Sequence, residues 1–144
     1  MGGSLEHELE ALVWRRLEAL QSAGGVGIDP EALRPLAIAS DFALDTLRRQ
    51  PALLAARHAL PAPPVLDPAA PEAAMAALRR WRAAASTVLV ARDVDGLDPV
   101  EATLAGSTRI AEQALALALA QAEGELAPRF GTVRDAAGQA QRLV

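Results

Sequence analysis

The chain has 144 residues, of which 51% are hydrophobic and 22% charged, enough for one domain with a buried core. Its formal net charge of −4 and pI of about 5.2 argue against nonspecific nucleic-acid binding, which needs a basic face to neutralise phosphates. The absence of cysteine removes disulfides, thiolate nucleophiles and zinc–thiolate sites, and fits a reducing cytoplasm.

Much of the apolar fraction is alanine, and only 3% of residues are aromatic. Ala is the best helix former, whereas the β-branched and aromatic residues that fill strands are scarce, so the expected class is all-α. All 14 basic residues are Arg. Glu6, Glu8 and Glu10 interrupt the N-terminus, so no signal peptide is read there. No apolar run approaches the roughly 18 residues of a membrane span. The best candidate, residues 83–91, is too short and carries Ser86 and Thr87.

In chain order, Leu5, Leu9, Leu12, Leu17 and Leu20 recur at helical spacing, with Glu6, Glu10, Arg16 and Glu18 between them. This predicts an amphipathic helix over about 4–22, with Ser4 as N-cap. Gly24, Gly25 and Gly27 end it. Asp29 then reads as the N-cap of a second helix, with Pro30 at its first position and Pro35 as an internal source of distortion. That helix runs to about Ala39. Ser40 reads as the next N-cap, with Asp41 favoured by the helix dipole and Phe42, Leu44 and Leu47 as apolar contacts. Pro51 introduces a short helix carrying Leu53, Leu54 and His58. Pro61, Pro63, Pro64, Pro68 and Pro71 define an extended connector.

Two long helices follow. The first is predicted over about 72–94, burying Met75, Leu78, Trp81, Ala85, Val88 and Leu89, and Gly96 marks its end. Asp98 and Pro99 open the second. Its expected stripe is Leu104, Thr108, Ala111, Leu115, Ala118, Ala122 and Leu126, with Pro128 ending or kinking the helix and Gly131 stopping it. A short turn between the two implies antiparallel packing. Leu143 and Val144 read as the first residues of a buried strand. The architecture is thus a bundle of about five to six helices with two long antiparallel members.

No catalytic constellation emerges, and no catalytic, cofactor-binding or metal-ligating residue is assigned. "GGVGIDPE" sets glycines before a helix N-terminus, but lacks P-loop spacing and a preceding strand, and reads as a helix–helix turn. His7 and His58 each lie on a predicted helix without a second ligand at metal spacing. Arg79, Arg80, Arg82 and Arg92 could contact an anion through bidentate bonds, although ion pairing with neighbouring helices is the commoner role. Arg82 and Arg92 lie beside the apolar stripe and suit half-buried pairing.

Two stretches carry a resemblance. "ASDFALDTLRRQPALL" (39–54) resembles a segment of the glutamine synthetase adenylyltransferase family, bifunctional bacterial enzymes that attach AMP to glutamine synthetase and remove it. "LRRWRAAASTVLVARDVDGLDPVEATLAGSTRIAEQALALALAQAEGELAPRFG" (78–131) resembles the family's following segment at Leu78, Arg79, Arg80, Trp81, Arg82, Arg92, Asp93, Gly96, Leu97, Phe130 and Gly131. "GQAQRLV" looks like the entry to the family's first nucleotidyltransferase strand. Residues 83–91 and Pro128 depart from the family pattern.

The resemblance implies that residues 1–130 are the N-terminal helical region of the adenylyl-removing half. Residues 131–144 would lead into a catalytic domain whose glycine loop and Asp-x-Asp signature this sequence does not contain. It further implies magnesium and ATP as cofactors of the longer enzyme, and glutamine synthetase and a nitrogen-signalling regulatory protein as its partners. The segment itself is then expected to be structural, to act in the cytoplasm and to self-associate when alone. The competing expectation is a self-standing helical interaction module.

Overall fold

The computed structural model describes residues 2–22 and 29–141. Its elements are α1 (Gly2–Ser22), α2 (Pro30–Ala39), α3 (Asp41–Arg49), a 3-10 turn (Pro51–Leu54), α4 (Pro71–Val94) and α5 (Val100–Phe130). The described residues are all-α apart from one isolated antiparallel bridge, Arg134 to Ala140. The predicted strand at Leu143 and Val144 lies outside the described residues.

The helix boundaries follow local chemistry. Asp29 accepts the Glu31 amide at 3.0 Å and Pro30 occupies the first turn of α2. Ser40 Oγ accepts the Ala43 amide at 3.2 Å and starts α3. Pro35 is accommodated within α2, which continues to Ala39. At the end of α4, Gly96 adopts φ +68. The Gly96 amide donates to Asp93 O and the Leu97 amide to Arg92 O, which is the paired closure of a Schellman motif. Gly131, with φ +73, stops α5 one residue after Phe130. Two boundaries differ from expectation. Helix α1 begins at Gly2, so Ser4 lies inside it and is not the cap. Helix α5 continues past Pro128, which sits in its final turn and does not end it there.

The chain forms two compact units. The first comprises Met1–Pro61 and Ala83–Ser107. Its core joins Val13, Leu17 and Leu20 of α1 to Leu33, Leu36 and Ala37 of α2, then to Ala43, Leu44 and Leu47 of α3, Leu54 and Ala91. The α1 contribution has a spacing of four and three, confined to the helix's second half. Leu5, Leu9 and Leu12 are exposed, so the sequence stripe overstated the buried face. Phe42 is also exposed, unlike Leu44 and Leu47. Within this unit Thr103 Oγ1 donates to Asp93 Oδ1 at 3.1 Å, and Gly106 lies against the Leu89 side chain. As the residue number rises on α5, its partner's number falls on α4, so the two segments run antiparallel there.

The second unit comprises Ala62–Arg82 and Thr108–Val144. Ala74, Leu78 and Trp81 are its buried residues on α4, and Ile110 and Gln121 on α5. The proline-rich connector is not helical, turns at Pro68 and Ala69, and packs on α5. Gln121 Nε2 donates to Asp67 O at 3.1 Å, and a Cβ placed on Gly124 would lie 2.6 Å from the Pro68 ring. Met75, expected in the buried stripe, is exposed. After Gly131 the chain makes a tight hairpin. Asp135 N donates to Gln139 O, Gln141 N donates to Val133 O, and Gly138 turns at φ +79.

The face of α5 is the main correction to the sequence reading. Leu104, Leu115 and Leu126, expected inside, are exposed, as are Thr108, Ala111 and Ala122. Gly106, Ile110 and Gln121 are buried instead, at intervals of four and eleven that lie on one side of a 3.6-residue helix. The glycines of α5 admit neighbouring side chains at close range, Leu89 against Gly106 and the Pro68 ring against Gly124.

Candidate interaction surfaces

The chain segment that follows the 3-10 turn is fastened to the end of α4. Arg92 carries most of that fastening. Its Nε donates to Asp98 Oδ2 at 2.7 Å, its Nη2 to Asp98 Oδ1 at 2.6 Å, and its Nη1 to the His58 carbonyl at 2.9 Å. The two bonds to Asp98 form the bidentate fork that suits guanidinium to carboxylate. That hydrogen bonding holds the Asp98 carboxyl below its usual range and raises Arg92 above its own. Beside it, His58 Nε2 lies 2.5 Å from Asp95 Oδ2, and Arg57 Nε is 3.9 Å from the same oxygen.

All three guanidinium nitrogens of Arg92 are thus engaged within the protein. An anion could bind there only by displacing Asp98 or the His58 carbonyl, so the arrangement is a structural clamp. Sequence reading placed Arg92 correctly as a half-buried ion-pairing residue. It missed Asp98, Asp95 and Arg57, although "ARDVDGLDP" sets carboxylates three and six residues after Arg92, close enough to return across a glycine turn. Arg82, expected to be half-buried, is exposed, as are Arg79 and Arg80. His58 lies in the turn after the 3-10 helix and not on a helix, whereas His7 is exposed on α1.

Two concave surfaces stand out among the described residues. Between α1 and α3 a cavity of about 410 Å³ is lined by Arg16, Leu20, Asp41, Phe42, Asp45 and Arg48. Arg16 Nη1 pairs with Asp41 at 2.5 Å, and Asp45 accepts from Arg48 and Arg49 at 2.8 and 2.7 Å, so its charges are matched in place. A larger groove of about 850 Å³ lies between the end of α5 and the hairpin after it. Its walls include Leu119, Ala122, Leu126, Phe130 and Val133. The glycine cradle considered before α2 lies mostly outside the described residues; at its described edge, the Asp29 carboxylate takes the Glu31 amide. Among the described residues no three His, Cys, Asp or Glu side chains gather as a metal site. No helix among them is long and apolar enough to cross a membrane.

The described residues thus form a helical framework with an ion-paired clamp at Arg92 and an open apolar groove. Comparison with known proteins supplies the rest. The chain is 55% identical over 116 residues, 78% of its length, to the bifunctional glutamine synthetase adenylyltransferase/adenylyl-removing enzyme of Stenotrophomonas maltophilia (strain K279a). It is 51% identical over 138 residues, 93% of its length, to the protein of that name from Xanthomonas oryzae pv. oryzae. Against that of Xanthomonas campestris pv. campestris (strain B100) it is 55% identical over 117 residues. The chain belongs to this family as a segment of it, and spans 12–15% of the length of these curated relatives. No family model and no solved structure matches it.

Proposed function

We infer that this chain is the N-terminal helical part of a longer enzyme that adenylylates and deadenylylates glutamine synthetase, thereby regulating nitrogen assimilation. The observation that carries this reading is 51–55% identity over most of the chain to proteins of which it spans only 12–15%. Residues 1–130 are the helical region of the adenylyl-removing half, and residues 131–144 lead toward its catalytic domain. The segment contributes framework; the reaction belongs to the rest of the polypeptide. The described residues do not fit the magnesium site that such an enzyme calls for, since no three suitable side chains converge. Magnesium and ATP are the cofactors we assign to the longer enzyme. Glutamine synthetase is the target, a nitrogen-signalling protein is the regulator, and the cytoplasm is the place of action.

Purified chain incubated with adenylylated glutamine synthetase, magnesium and phosphate is expected to release no ADP above a no-protein control. Release above that control would overturn the structural role. The intact mass of the native polypeptide, captured from its source with an antibody to this segment, tests the fragment reading separately. A product several times larger is expected, whereas one of about 15 kDa would favour a self-standing interaction module.

A further inference from the structure

Helix α4 is unevenly charged. Arg79, Arg80 and Arg82 are exposed on it, while Leu78 and Trp81 among them are buried. No carboxylate occurs along the helix from Ala73 to Arg92. The positions three and four residues from Arg79 and Arg82, where an ion-pair partner on the same helix would stand, hold Met75, Ala76, Leu78, Ala83, Ala85 and Ser86 besides the two arginines themselves. Elsewhere the chain answers its arginines. Arg16, Arg34, Arg48, Arg49 and Arg92 each reach a carboxylate at 2.5 to 2.9 Å. Arg79 and Arg82 have no such partner among the described residues, whereas Arg80 is engaged within the chain. Three residues apart on a helix, two guanidinium groups are neighbours, and like charges so placed weaken the helix that carries them. An acidic group on that face turns the repulsion into attraction.

We propose that the Arg79–Arg82 face of α4 docks a carboxylate-rich surface of a separate protein. Charge complementarity selects the occupant. The chain as a whole carries −4, so this face attracts an acidic protein that the net charge repels. The guanidinium fork matches a carboxylate in bidentate geometry. Neither concave surface described above includes Arg79 or Arg82, and an open helix face gives a small anion no enclosure. Two unpaired arginines are too few to hold a polynucleotide, whose affinity comes from many neutralised phosphates. A permanent internal partner would shield them, as Asp98 and the His58 carbonyl half-enclose Arg92. Exposed as they are, Arg79 and Arg82 stay hydrated when a partner departs, which suits a contact that forms and breaks.

Fluorescence anisotropy of a labelled peptide of alternating Glu and Ala, titrated with the 144-residue chain at low salt, tests this. The peptide is expected to bind, its counterpart with Gln in place of Glu is not, and sodium chloride is expected to weaken the binding. Arg79→Ala/Arg82→Ala is expected to lower the affinity several-fold with the helical circular dichroism retained, since Ala favours helix. Arg15→Ala/Arg129→Ala removes the same charge from α1 and from the end of α5, and is expected to leave the affinity nearly unchanged. Equal losses in the two double variants would overturn the proposal, because binding would then follow net charge and not this face. Failure of the native chain to bind the Glu peptide would overturn it as well. So would displacement of the peptide by inorganic phosphate more strongly than by chloride at equal ionic strength, or tighter binding of a single-stranded DNA oligonucleotide, either of which would assign the face to phosphate. A full-length relative with arginine at both aligned positions is expected to bind the peptide through them. Failure there alone would overturn the choice of a separate protein in favour of carboxylates within the longer chain. The fragment reading is judged independently, by the native mass.

Discussion

Leu47 has no exposed surface and sits where α1, α2 and α3 meet, so nothing can relax around its loss without moving a helix. Leu47→Ala is expected to cost about 2–5 kcal/mol, measured by urea unfolding, through lost transfer energy and the cavity left behind. Thr87 is equally enclosed, and its hydroxyl finds no hydrogen-bond partner among the described residues. Thr87→Val should therefore be neutral or stabilising by up to about 1 kcal/mol in the same assay, the opposite of what a productive hydroxyl would give. For the Arg92 clamp the informative variable is pH. Asp98 is depressed in the folded chain, so its contribution is present above the ordinary carboxylate pKa, about 4, and is lost as pH falls through the folded value. The gap in melting temperature between the native chain and Asp98→Asn should hold at neutral pH and close in acid. A gap that widened on acidification would contradict the clamp. None of these three residues could be ranked from the sequence, because enclosure depends on neighbours that the local pattern does not name.

At the scale of an element, what was legible was whatever is decided locally. Asp29 and Ser40 through their side-chain oxygens, and Gly96 and Gly131 through their positive φ, act within a few residues of their own backbone, and each marks the boundary that this local chemistry predicts. The faces of α1 and α5 were not legible. Ala and Leu recur so often on α5 that several stripes can be drawn, and hydrophobic period alone does not choose among them. Steric fit does, through Gly106 and Gly124. The two glycines make different demands. A methyl at Gly106 would press on the mobile end of Leu89, with Cδ2 at 2.8 Å, whereas a methyl at Gly124 would meet the rigid Pro68 ring at 2.6 Å. Replacement by Ala also gains about 1 kcal/mol of helix propensity at either site. Gly106→Ala is accordingly expected to be close to neutral in thermal unfolding and Gly124→Ala clearly destabilising, by about 1–3 kcal/mol from overpacking. Equal effects would mean that the connector yields as easily as a leucine side chain. The Arg92 clamp was half legible: the arginine stood out, but its partners became visible only once the Gly96 turn had brought Asp98 back.

At the scale of the whole molecule, composition alone indicated an all-helical chain, and the family followed from ordered segments spread over most of its length. The apolar groove was not indicated, since it exists only where the hairpin folds back beside α5. An acidic chain that exposes Leu104, Leu115, Leu126 and Phe130 depends on its charge to stay dispersed. As pH approaches the pI of about 5.2 that repulsion vanishes. Turbidity of the isolated chain should peak there and fall on either side, and Phe130→Asp should lower the peak.

The division of the chain into units has a consequence for its synthesis. The first unit draws on Met1–Pro61 and then, after an excursion, on Ala83–Ser107. Its core includes Ala91, with Val90 packed against it. On the ribosome, the three leading helices must therefore wait, incompletely covered, until the closing segment has been made. At translation rates of roughly 5–20 residues per second that interval lasts a few seconds, long compared with helix formation. The nascent chain therefore passes through a window, between the completion of Pro61 and the emergence of Ser107, in which the core of the first unit still lacks Ala91 and Val90.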